Sequence, residues 1–83
     1  MKKTMQVKVP NGLEARKIAE LVQIAVNCES KVYIEVGEKK INAKSIMGMM
    51  ALELREGDAF LVDAEGRDEE QVIQEIEKFV SAA

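Results

Sequence analysis

Few side chains in this sequence are equipped for chemistry. It has no histidine and a single cysteine, Cys28. One thiol without an imidazole cannot supply the four N/S ligands of a structural zinc site, nor a Ser-His or Cys-His nucleophile pair. What remains are hydroxyls, carboxylates and guanidinium groups set where helices should begin. Ser45 stands directly before an apolar segment, Ile46 to Leu52. Serine there caps a helix by accepting a hydrogen bond from a free backbone N–H. The position also suits a modified serine: phosphoserine carries about −1.5 to −2 charge, which free N–H groups and the helix dipole favour. Three methionines, Met47, Met49 and Met50, follow within four positions. They cannot all face inward, so Met47 at least is expected on the surface beside Ser45, where methionine adapts well to partners. At another helix start stand Glu14 and Arg16. A carboxylate is favoured there, and the planar arginine fork can hold a phosphate or a partner's carboxylate.

The elements that must position these groups are legible from hydrophobic period. Residues 3–9 alternate, with Met5, Val7 and Val9 on one side, and Pro10-Asn11-Gly12 ends the run in a turn. Ile18, Leu21, Val22, Ala25 and Val26 make a helical stripe over residues 15–28, with Cys28 as a small buried hydrophobe at its end. Residues 31–36 and 39–42 pair as a hairpin about Gly37-Glu38. The Ser45 helix follows and breaks at Gly57-Asp58. Phe60, Val62 and Ala64 mark a fourth strand. Asp68 is then expected to cap a last helix, with Glu69 and Glu70 at its positive end and Val72, Ile73, Ile76, Phe79 and Val80 as its buried stripe. The order β-α-β-β-α-β-α with half-polar strands predicts an α+β fold. It is an open-faced two-layer sandwich: a four-stranded antiparallel sheet with three helices on one face.

Composition narrows the function classes. A chain of 83 residues is read as one domain, residues 1–83, which buries roughly 60–65% of its unfolded surface and holds one modest core. Domains of this size are more often carriers or binding modules than enzymes. Apolar residues are 47% and charged residues 33%, the balance of a globular protein. No apolar run approaches the roughly 20 residues of a membrane span. The basic start Met1-Lys2-Lys3-Thr4 lacks the apolar stretch of a signal peptide, so a cytoplasmic protein is expected. A net charge of −3 with no aromatic-basic cluster argues against direct nucleic-acid binding. No metal and no cofactor is called for.

Two segments then carry a family likeness. Gly12-Leu13-Glu14-Ala15-Arg16-Lys17-Ile18-Ala19 resembles the active-site loop of the histidine-containing phosphocarrier (HPr) family, Gly-Ile/Leu-His-Ala-Arg-Pro-Ala. Asn42-Ala43-Lys44-Ser45-Ile46-Met47-Gly48-Met49-Met50-Ala51-Leu52 closely matches the regulatory-serine segment of its Gram-positive branch. The resemblance implies that Ser45 is phosphorylated by an HPr kinase/phosphorylase, and that Ile46, Met47 and Met50, with Arg16 or Lys17, meet partners. It also marks a departure: Glu14 occupies the place of the phosphorylated histidine, and Lys17 that of the following proline. A carboxylate is a weak nucleophile for that transfer. In lacking the histidine and keeping the serine, the chain is similar to the catabolite-repression HPr-like (Crh) branch, which carries glutamine where Glu14 stands. The implied role is a non-enzymatic corepressor of a catabolite-control transcription regulator. Alternatives are a phosphocarrier of the sugar phosphotransferase system, with Glu14 as an unusual acceptor or the chain as an engineered or diverged remnant, and a modulator of a metabolic enzyme; a separate idea is that Glu14 mimics a phosphorylated histidine.

Overall fold

The computed structural model describes residues 1–82 and has seven elements in the expected order. They are β1 (Lys2–Gln6), α1 (Ala15–Val26), β2 (Lys31–Val36), β3 (Lys39–Asn42), α2 (Ile46–Met50), β4 (Ala59–Glu65) and α3 (Glu69–Val80). The strands form one sheet of order β1-β4-β2-β3, with every pairing antiparallel. Register follows from the two-residue period. Met5 faces Phe60, Ile34 faces Val62 and Val32 faces Ala64, so these six side chains of the three paired strands fall on the same side. The three helices cover that side. Their stripes, including Ile18, Leu21, Ala25, Met49, Val72 and Ile76, join the strand residues in one core. The opposite face carries Tyr33, Glu35, Leu61 and Asp63, all half-exposed, and stays open. Lysines stand on both edge strands, Lys2 and Lys3 on β1 and Lys39 and Lys40 on β3, where charge opposes strand-to-strand association.

Three local expectations are corrected. Val26 is not part of the buried stripe: it is 50% exposed at the last position of α1. The centre of the stripe runs through Ile18, Leu21 and Ala25, and Val26 falls on its margin. Phe79 and Cys28 are half-buried. Phe79 lies under the Lys17 ammonium, 5.9 Å from the ring centroid. The Cys28 Sγ lies 3.1 Å from the carbonyl of Ala25 and 3.4 Å from that of Ser30.

The third correction is the largest. Asp68 stands at the N-cap position of α3, but its side chain makes no cap bond. Its carboxylate accepts from the backbone N–H of Glu29 at 2.9 Å, from that of Ser30 at 3.0 Å, and from the Ser30 hydroxyl. Ser30 is 1% exposed, the only buried polar residue among those described. Its donors would be orphaned without Asp68, and an unpaired buried donor costs more than an empty cap at a surface helix end. These bonds hold the Asp68 carboxyl below its ordinary range, the Ser30 hydroxyl contributing most and the Glu29 amide next.

Candidate functional site

The turn before α2 is built by Asn42. Its side-chain oxygen accepts from the Lys44 N–H at 2.9 Å, and its carbonyl accepts from the Ser45 N–H at 2.9 Å. The chain leaves this turn with Ser45 extended (φ −100°, ψ 108°), as a cap residue must be. The Ser45 Oγ accepts from the Gly48 N–H at 3.3 Å, and its carbonyl accepts from the Met49 N–H at 3.0 Å. Ser45 therefore caps α2 as its position predicts, and it does so on an exposed corner.

Ser45 sorts the methionines after it. Met49, four residues on, is wholly buried, while Met47 is 81% exposed. Ile46 and Met50 are 44% and 45% exposed. The three apolar side chains expected at a docking surface are thus the exposed ones of α2, and they flank the serine on a single short helix. Lys44 is half-buried: its Nζ donates to the Cys28 carbonyl at 3.2 Å, tying this turn to the chain just past α1. Sequence reasoning gave that lysine no such role. Gly48 likewise had only a place in the motif, although the signal was present. Glycine inside a helix costs about 1 kcal/mol relative to alanine, so its presence in so short a helix calls for a compensating reason.

The start of α1 is built differently. Asn11 and Gly12 both have left-handed backbones (φ 67° and 74°). Gly12 must be glycine for a second reason, because a Cβ there would lie 2.7 Å from the Arg55 Cα and 2.8 Å from the Glu56 nitrogen. This close approach lets the Leu13 N–H reach the Leu54 carbonyl at 2.9 Å and bury the Leu13 side chain. Glu14 then enters α1 with extended backbone and accepts from the Ile18 N–H through its carbonyl at 2.8 Å. Its side chain makes no cap bond and is exposed. Arg16 is exposed and, among the described residues, its side chain makes no hydrogen bond or ion pair. Lys17 is exposed and reaches along the Phe79 ring. Helices α1 and α2 pack against each other, which places the two helix starts on neighbouring elements. No group of three or more histidine, cysteine, aspartate or glutamate side chains among the described residues can hold a metal, and no helix among them is long and apolar enough to cross a membrane.

Comparison with known proteins agrees with this geometry. A family model described as "PTS HPr component phosphorylation site" matches residues 1–82. The chain is 39% identical over 80 residues to the HPr-like protein Crh of Halalkalibacterium halodurans, covering 96% of this chain and 95% of that protein. The crystal structure of the phosphocarrier protein HPr from Bacillus anthracis superposes with a TM-score of 0.92 at 38% identity, covering 96% of this chain and 95% of that one. The crystal structure of Bacillus subtilis Crh, described as a domain-swapped dimer, gives a TM-score of 0.76 at 38% identity, covering 92% and 87% of the two chains.

Proposed function

The chain belongs to the HPr family of phosphocarrier proteins, with relatives of the Crh branch, and from that membership we propose that it is a cytoplasmic signalling protein of carbon catabolite control, switched by phosphorylation of Ser45. Proteins of this family are not enzymes, and neither is this chain. Its action is then to be modified and to bind. The HPr kinase/phosphorylase phosphorylates the Ser45 hydroxyl. The phospho-form docks on a catabolite-control transcription regulator through the new anion, the Ile46, Met47 and Met50 side chains, and Arg16 or Lys17. The protein makes no contact of its own with DNA.

One observation carries this reading: an exposed cap serine, within the matched motif, bordered by the three exposed apolar side chains of its own helix. Phosphate on a group already placed at the start of a helix adds charge and acceptor oxygens where backbone donors face it, so the fold survives modification. Arg16 supports the reading as a free guanidinium fork on the neighbouring helix. The absence of any imidazole weighs against the phosphocarrier role, since Glu14 is the only side chain at the place of the transferring histidine.

The test is intact mass after incubation with an HPr kinase and ATP, followed by affinity for a catabolite-control regulator with and without the phosphate. One phosphate on Ser45 and tighter binding of that form are expected. Equal affinity of the two forms would remove the switch.

A further inference from the structure

Gly48 does not need to be glycine for its backbone. It lies inside α2 and has no positive φ, unlike Gly12, Gly37, Gly57 and Gly66. What requires glycine is space. A Cβ at this position would lie 2.7 Å from Cγ2 of Ile41 on β3 and 3.3 Å from the Oγ of Ser45. The first contact is a clash. Cγ2 is bonded directly to the branched Cβ, so it is relieved only by turning a stiff χ1 or by lifting α2 off β3. The second is tighter than ordinary van der Waals contact, and it falls on the atom that would receive a phosphoryl group.

We propose that Gly48 is a positioning residue for the phosphorylation of Ser45: its missing side chain seats α2 on Ile41 and keeps one flank of the serine hydroxyl open. The proposal rests on the reading of Ser45 as a kinase substrate. In that step Oγ attacks the γ-phosphorus of ATP, the bond from phosphorus to the ADP oxygen breaks, and the serine proton passes to a base of the kinase. The three phosphoryl oxygens and an in-line approach need room around Oγ. Gly48 takes no part in the bond changes. Its N–H bond to Oγ is a backbone contact that any residue other than proline can make, so a substitution to alanine leaves that bond available and adds only side-chain volume and helix propensity.

The experiment compares the native chain with Gly48→Ala, Ile41→Ala and the double variant, measuring melting temperature and phosphorylation kinetics with an HPr kinase and ATP. Gly48→Ala is expected to lower kcat/KM by at least about tenfold, mainly through kcat, as a misplaced reacting atom does. Ile41→Ala should be phosphorylated at close to the native rate. In the double variant the clash with Ile41 is gone and alanine is the better helix former, so the melting temperature should be no lower than that of Ile41→Ala, while phosphorylation stays slow because Oγ remains crowded. A native rate for Gly48→Ala overturns the proposal. Full recovery of rate in the double variant overturns the open-flank argument, leaving the glycine only a packing role. If the native chain itself takes no phosphate, the reading of Ser45 falls first and this role falls with it.

Discussion

Helices α1 and α2 pack against each other, and their starts are built on opposite principles. At α2 the side chain of Ser45 does the capping, on a turn assembled by Asn42. At α1 the backbone does the work. A left-handed pair at Asn11 and Gly12, pressed on the 54–56 segment, delivers the chain into the helix, and the Glu14 side chain is left with no cap bond. A start held by backbone packing leaves its first side chain free to change without loss of the fold. A start held by a side chain constrains that residue. The α1 start therefore accommodates glutamate at position 14 without using its side chain, whereas the α2 start depends on the Ser45 hydroxyl.

The largest expected difference between the two starts is in phosphorylation. Ser45→Ala should abolish modification by an HPr kinase and any phosphate-dependent complex, whereas Glu14→Gln should leave both intact. Loss of modification in Glu14→Gln would make the two starts one site. Ser45→Asp should rescue binding poorly, because one carboxylate has less charge and fewer acceptor oxygens than phosphate.

A gain-of-function experiment sharpens the other side. The native chain should accept no phosphate from the general enzyme of the phosphotransferase system. Glu14→His should acquire some transfer, read as labelled phosphate from phosphoenolpyruvate. An inert Glu14→His would show that Lys17, in place of the family proline, has dismantled the docking face as well.

Smaller effects follow for binding and stability. Met47→Ser should weaken regulator binding by about 1–2 kcal/mol if the exposed methionine is a contact, yet change stability by less than about 0.5 kcal/mol, as surface substitutions do. Ser45→Ala should lower unfolding free energy by about 0.5–1 kcal/mol for the lost cap, measurable in urea melts. Glu14→Ala should cost less than that, having no cap bond to lose.

A third helix start provides a pH test. The Asp68 carboxyl is held below its ordinary value by the Ser30 hydroxyl and the Glu29 amide. A carboxyl depressed in the folded state stabilises the fold above its unfolded pKa, ordinarily about 3.9, and that contribution is lost as pH falls through the depressed value. Asp68→Asn should therefore melt lower than the native chain at neutral pH, and the gap should narrow in acid below about pH 4. A gap independent of pH would mean that the carboxylate charge is not what the Glu29–Ser30 donors require.

The order of elements, the antiparallel one-faced sheet and the cap at Ser45 were all legible in the sequence. Each depends on local periods and on a side chain bonding three residues away, and such short-range relations are written in neighbouring letters. Exposure of Met47 was legible for the same reason, since a two-turn segment cannot bury three methionines in four positions. Asp68 shows the limit. Its residue type and place say N-cap, but the competing donors belong to Glu29 and Ser30, far away in the chain, and only the folded chain brings them within reach. The demand for glycine at position 48 is of the same kind: half of it is the serine three residues back, and the other half is Ile41 on the strand beneath. Local hydrogen-bond chemistry could be read in advance, whereas these choices between partners rest on distances set by packing β3, α1 and α3 around one core.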